Sequence, residues 1–269
     1  MAKNSNSKGI AVILNFLGED TMDSGAIEQT VKEYFMLLEA LKANSIDGCI
    51  SVKPTQVGLR VGYDVCLYNF KQIAKMANSL GKFMWIDIES SQFVENTIAI
   101  YLELLKEYKL VGVALQSYLK RSSSDLLHLL EQGAGNVRLV KGAYRENEKT
   151  AFQSMEKINS NFSKLMKMLF ENSGDDNNNS SNTFAIATHD SRLIEEAIDL
   201  SKKFHANKKK FEFQMLMGIR DDIKKSLVER GFRVSEYIPY GSQWLPYSVR
   251  RIKERKRNII LLGRSLIRL

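Results

Sequence analysis

The sequence predicts an α/β fold, a single-domain (β/α)8 barrel of the TIM type, on three observations. Eight short aliphatic or β-branched runs alternate with longer amphipathic stretches along 269 residues. Strict alternation implies a parallel sheet, and eight repeats in a chain of this length favour closure over an open sheet. No GxGxxG follows the first run, which argues against a dinucleotide-binding open sheet. The barrel domain is expected over 11–269, behind an N-terminal tail at 1–10.

The elements follow in order. AVILNFL (11–17) is a near-continuous apolar run, as a strand covered on both faces requires. Ile27, Val31, Tyr34, Phe35, Leu38 and Leu41 recur at helical spacing. DGCISVK (47–53) is the second strand, a helix is expected near 68–80, and KFMWIDIE (82–89) is the third strand. Val94, Ile98, Tyr101, Leu102, Leu105 and Tyr108 mark the next helix. LVGVALQ, NVRLVKG, TFAIATH, FEFQML and FRVSEYI complete the strand series. SKLMKMLF (163–170) reads as helix core, with His128 and His205 on the surface. The polar stretch ENSGDDNNNSSN (171–182) reads as a surface insertion within the domain.

Composition bounds the setting. Hydrophobic residues make up 44% and charged residues 26%, enough to build a core. Cys49 and Cys66 lack metal-ligand spacing, and the first ten residues lack a signal-peptide run, so a reduced, cytoplasmic location is expected and no metal site. The net charge of +8 is dispersed, with clusters at 208–210 and 253–257, and no RNA-binding signature accompanies it. It fits solubility or peripheral contact with an anionic membrane surface; nucleic acid is not the expected partner.

Catalytic groups of such a barrel lie where strands end and βα loops begin. Those ends carry Lys53, then Asp87 and Glu89, then Gln116, then Arg138 and Lys141, then Thr188, His189 and Asp190. Glu212 and Gln214 sit in the seventh strand, and Tyr237 ends the eighth. Beyond it, Pro246 suits the first turn of a helix. From there Tyr247, Arg250, Arg251 and Glu254 fall on one face at i, i+3, i+4 and i+7. Either this stripe is a solvated set of ion pairs, or it looks into a cavity that holds an anion such as a carboxylate. There is no HxxE-type metal spacing, no CxxC and no P-loop, so a large bound cofactor would supply the chemistry.

The chain resembles the proline dehydrogenase family. The matching pieces are LNFLGE (14–19), SVKPTQVGL (51–59), WIDIESS (85–91), ALQSYLKRS (114–122), VRLVKGAYRE (137–146), ATHD (187–190), FEFQMLMG (211–218) and YIPYGSQWLPYSVRRIKER (237–255). They come in the family's order and cover nearly the whole chain. The resemblance implies oxidation of L-proline to Δ1-pyrroline-5-carboxylate by hydride transfer to non-covalent FAD, with a separate acceptor, a membrane quinone, reoxidising the flavin. It assigns Arg250 and Arg251 to the substrate carboxylate and Glu254 to holding them. Lys53, Asp87, Leu139, Tyr237 and Tyr247 would line the proline pocket, Arg138 would sit near flavin N5 and Gln116 near the pyrimidine edge. Val140, Lys141, Gly142 and Ala143 would run along the cofactor, and Thr188, His189 and Glu212 would meet its ribityl and ADP parts. Lys53, Asp87, Arg138 and Tyr237 are the catalytic set. Tyr237 favours proline, because hydroxyproline-preferring relatives tend to carry a smaller residue there. Glu19 is expected to gate the site by pairing with an arginine of the last helix.

Three positions depart from the family's usual pattern: Pro54 after the pocket lysine, Arg145 after KGAY, and Asp190 where Asn is common. Two other readings stand beside the first: a folate-using flavin barrel such as methylenetetrahydrofolate reductase, against which the RRxxE stripe argues, and an inactive basic barrel binding RNA or a protein.

Overall fold

The computed structural model describes residues 1–18, 20–173 and 183–241. Glu19, most of the 171–182 insertion, and the helix expected from Pro246 with Tyr247, Arg250, Arg251 and Glu254 lie outside the described residues.

Eight parallel strands close a barrel in sequence order. They are β1 (Ala11–Phe16), β2 (Gly48–Val52), β3 (Met84–Ile86), β4 (Val111–Gln116), β5 (Val137–Val140), β6 (Phe184–Ala187), β7 (Phe211–Leu216) and β8 (Arg233–Tyr240). The seam is β1 against β8, in a register that sets Ile13 beside Tyr237. The helices are α1 (Ala2–Asn6), α2 (Ser24–Ala43), α3 (Tyr63–Ser79), α4 (Val94–Leu105), α5 (Ser122–Glu131), α6 (Met155–Asn172), α7 (Ser191–Lys203) and α8 (Asp221–Glu229). Each of α2 to α8 follows a strand and covers the outside of the sheet, which is why the strands are apolar on both faces.

Burial falls into two layers, as strand alternation requires. Between sheet and helices lies the main core, including Val12, Ile50, Val52, Ile86, Val113, Leu139, Ile186 and Phe213. Inside the barrel a smaller cluster of Ile13, Trp85 and Ala185 packs with Cys49, Phe83 and Tyr237. α2 starts on Asp23, whose carboxylate accepts the Ala26 N–H, and buries Ile27, Val31, Tyr34, Leu38 and Leu41. The Met-rich segment is core as expected, with Leu165, Met166 and Leu169 of α6 buried. His128 and His205 are exposed.

Three expectations are corrected. The tail at 1–10 contains α1, folded onto the barrel: Ser5 donates to Glu236, and the Asn6 amide donates to Ile10 O and Asp47 O. α3 begins at Tyr63 rather than near 68, because Gly62 supplies its N-cap and its first turn is too exposed to carry an apolar period. β3 ends at Ile86 rather than at Glu89. The Asp87 N–H still reaches Val52 O, but beyond it the chain is held by side chains. Among the described residues no helix is long and apolar enough to cross a membrane.

Candidate active site

One carboxylate organises the C-terminal mouth of the barrel. Asp87 stands just past β3, on the inward side of its strand. Its Oδ1 accepts Ser51 Oγ at 2.7 Å and an Arg138 guanidinium nitrogen at 2.8 Å. Its Oδ2 accepts Lys53 Nζ at 2.8 Å and the Tyr237 hydroxyl at 2.8 Å. Four donors from three strands, β2, β5 and β8, therefore converge on one acidic group. Burial opposes charge on Asp87, but the Lys53 and Arg138 cations and the hydrogen bonds from Lys53 and Ser51 override it. They hold the carboxyl well below its ordinary range.

The sequence reading named Lys53, Asp87, Arg138 and Tyr237, and the structure brings all four together. It missed Ser51, whose hydroxyl links Arg138 to Asp87 and accepts from the guanidinium at 2.9 Å. The signal was available: Ser51 lies two residues before Lys53, on the same face of β2. The Ser51 carbonyl is itself pinned by the Tyr34 hydroxyl and the Asn15 amide, each at 2.9 Å. Glu89 accepts both the N–H and the hydroxyl of Thr55 at 2.8 Å. This carboxylate clips the loop that carries Lys53. Pro54 opens the short 3-10 turn of that loop, where its missing N–H needs no partner.

Around this cluster, buried polar atoms have no hydrogen-bond partner among the described residues. Arg138 keeps Nε and one terminal nitrogen unpaired, and Gln116 keeps Oε1 unpaired. Such atoms cost roughly 1–3 kcal/mol each when left unmade, so two donors and an acceptor at one mouth mark a place that a ligand completes. The loop after β5 supplies a backbone cradle. Gly142 adopts φ 98°, and a Cβ there would stand 2.2 Å from Tyr118 Cδ1. Val140, Lys141 and Ala143 beside it are half-buried. Lys141 pairs with Asp190 at 2.9 Å, and Asp190 also caps α7 through the Arg192 N–H. The departure at 190 thus adds an ion pair while keeping a cap. Arg145 is exposed.

Thr188 is buried at the end of β6, and its hydroxyl accepts the Asp190 N–H. His189 Nε2 accepts the Leu216 N–H at 3.0 Å, so the neutral ring carries its proton on Nδ1. Burial, reinforced by Lys224, Arg220 and Lys141, lowers the His189 pKa to about 4.

Two expected residues do not reach the mouth. Glu212 lies near the start of β7, paired in register with Arg233 at the start of β8. It accepts from Arg233 Nε at 3.1 Å and Ser235 Oγ at 2.8 Å. Those donors hold it low in the barrel. Leu139 follows Arg138, so strand alternation turns it outward into the sheet–helix core, where it is fully buried. The four residues expected on the last helix, Tyr247, Arg250, Arg251 and Glu254, and the proposed gate Glu19 lie outside the described residues.

A family model described as Proline dehydrogenase matches residues 1–260. The chain is 30% identical over 266 residues to proline dehydrogenase 1 of Bacillus subtilis subsp. natto, covering 99% of this chain and 85% of that one. It is 33% identical over 265 residues to the proline dehydrogenase of Deinococcus radiodurans, covering 97% and 83% respectively. Among solved structures, proline utilization A (PutA) from Bdellovibrio bacteriovorus superposes with a TM-score of 0.81 at 24% identity. That match covers 90% of this chain but 29% of the larger protein, and it shows the fold alone. The barrel, the residues that meet at its mouth and a family match spanning most of the sequence lead to one conclusion: the chain belongs to the proline dehydrogenase family of oxidoreductases.

Proposed function

We propose that this chain oxidises L-proline to Δ1-pyrroline-5-carboxylate with non-covalently bound FAD. The observation that carries the reading is the Asp87 cluster. Lys53, Ser51, Arg138 and Tyr237 converge on one buried carboxylate, and Arg138 still has two donors to spare. Proline gives up a hydride from C5 and a proton from its ring nitrogen, and a C5=N bond forms. FAD, when bound, supplies the acceptor of that hydride at its N5.

The chain's own residues bind and orient. The free Arg138 donors fit an acceptor nitrogen of a flat heterocycle, and the Gln116 Oε1 fits a ring N–H beside it. Val140, Lys141, Gly142 and Ala143 offer a backbone edge with no side chain at Gly142. Thr188 and His189 stand at the next strand end for the remainder of the cofactor. On the substrate side, Lys53, Asp87 and Tyr237 form one wall of the pocket. Tyr247, Arg250 and Arg251, with Glu254 steadying the arginines, would supply the other and anchor the carboxylate bidentately. Fixing the carboxylate at one end and C5 at the other is mainly an orientation effect, and the nearby cations favour negative charge gathering on the acceptor.

A quinone at a membrane surface is the proposed final acceptor, met by a cytoplasmic protein through peripheral contact that the charge of +8 supports. The test is the visible spectrum of the purified chain, anaerobically, before and after L-proline. A yellow protein whose flavin band bleaches with L-proline is the expected result. A protein that stays colourless in excess FAD, or that stays yellow with proline, overturns the reading.

A further inference from the structure

Arg138 is a flexible side chain asked to hold two donors free in a fixed direction. Ser51 and Asp87 engage only one of its terminal nitrogens, at 2.9 and 2.8 Å. Those two acceptors are themselves only 2.7 Å apart, so they draw that nitrogen in nearly one direction and constrain the tilt of the guanidinium plane only loosely. A second restraint lies inside the barrel. The Arg138 guanidinium carbon sits over the Trp85 ring, 4.7 Å from its centroid, and 5.6 Å from the centroid of Tyr237. Guanidinium groups stack on aromatic faces, and a ring face against the group restrains its tilt, which these two closely spaced acceptors do not. Trp85 is itself held fast. It is 3% exposed, its ring lies 4.8 Å from Phe83, and it fills the space at Gly112, where a Cβ would meet its six-membered ring at 2.5 Å.

We propose that Trp85, seated by Gly112, is a positioning residue of the active site: its indole face fixes the plane of the Arg138 guanidinium and so aims the two unpaired donors at the cofactor position. It touches neither substrate nor cofactor and acts through Arg138. The cofactor part rests on the function proposed above; the stacking itself does not.

The test therefore has two arms, on the full chain as purified. The first is the arginine Nε–H region of a proton–nitrogen NMR spectrum, recorded without added FAD. Wild type shows one exchange-protected Nε–H shifted by ring current, absent in Arg138→Lys. It stays shifted in Trp85→Phe and returns to the ordinary position in Trp85→Met, which fills the space without a π face. The second arm is the rate at which proline bleaches the bound flavin. It falls ~10- to 100-fold in Trp85→Met, as misorientation of a reacting pair does, while the proline KM stays within about 3-fold and Trp85→Phe restores most of the rate. A wild-type Nε–H at the ordinary position overturns the proposal without recourse to any variant. So does a shifted signal that survives Trp85→Met, or a Trp85→Phe enzyme as slow as Trp85→Met at equal melting temperature. A chain that binds no flavin but passes the first arm leaves the stacking standing and counts against the proposed function instead.

Discussion

Asp87 shows how a single residue is made indispensable by its surroundings. It is almost fully buried, yet Lys53 and Arg138 both depend on it for countercharge, and Ser51 and Tyr237 both donate to it. Removing one partner of a buried ion pair leaves the other uncompensated, at a cost of about 3–5 kcal/mol. Asp87→Ala is therefore expected to destabilise the chain by that amount in urea unfolding and to abolish proline-dependent bleaching. Asp87→Asn should keep more stability but still lose activity, because the amide turns one acceptor into a donor facing donors. The sign of the pH effect follows from the depressed pKa. The folded state holds fewer protons here than the unfolded chain, so this stabilisation is complete above the ordinary carboxylate pKa of ~3.9 and fades only below it.

At the scale of elements, acidic side chains fasten the loops at the mouth to one another. Asp20 holds Arg60, Glu89 holds Thr55, Glu146 accepts both the N–H and hydroxyl of Ser91, and Asp190 holds Lys141. The link between the ends of β6 and β7 is different, because it uses a neutral histidine as acceptor of the Leu216 N–H. Protonation would set two donors against each other. With a folded pKa of about 4 against an ordinary 6.5, the unfolded chain takes up a proton in that interval and the folded chain does not. Stability is then complete above pH ~6.5 and falls by on the order of 3 kcal/mol as the pH drops toward 4. A melting-temperature series across this range should fall steadily for the wild type and markedly less for His189→Gln; equal slopes would rule out His189 as the source. These fastenings also mark the limit of what sequence reveals. The strands and most helices were legible because burial imposes a period. Lys53 and Asp87 were legible because they directly follow strand ends, and Arg138 and Tyr237, inside β5 and β8, because they sit in long motifs. The outward turn of Leu139 follows from its being next to Arg138, and period-two reasoning would have found it. The low position of Glu212 and the placing of the Arg138 guanidinium over Trp85 depend on register between strands far apart in the chain, which no local pattern encodes.

For the molecule as a whole, the structural problem is the seam at which the first strand meets the last. The chain adds a buried charge network there. Glu236 on β8 lies in register with Val12 of β1 and Met215 of β7, and its carboxylate is bound by the buried Lys224 of α8 and by Ser5 of α1. One side chain thus ties the N-terminal helix, the closing strand and the helix before it. Lys224 is further held by Asp221 and reaches toward Leu216 O, the residue whose N–H binds His189, so the seam and the mouth share a backbone unit. Buried ion pairs of this kind contribute little beyond what an apolar pair of the same volume would, but breaking one is costly. Lys224→Met alone is therefore expected to lose about 3–5 kcal/mol in urea unfolding. The double change Lys224→Met with Glu236→Leu should recover most of that loss, since the uncompensated Glu236 charge is gone as well and the space stays filled. A double variant no more stable than the single one would mean that the ionic geometry itself, rather than neutral packing, holds the barrel closed.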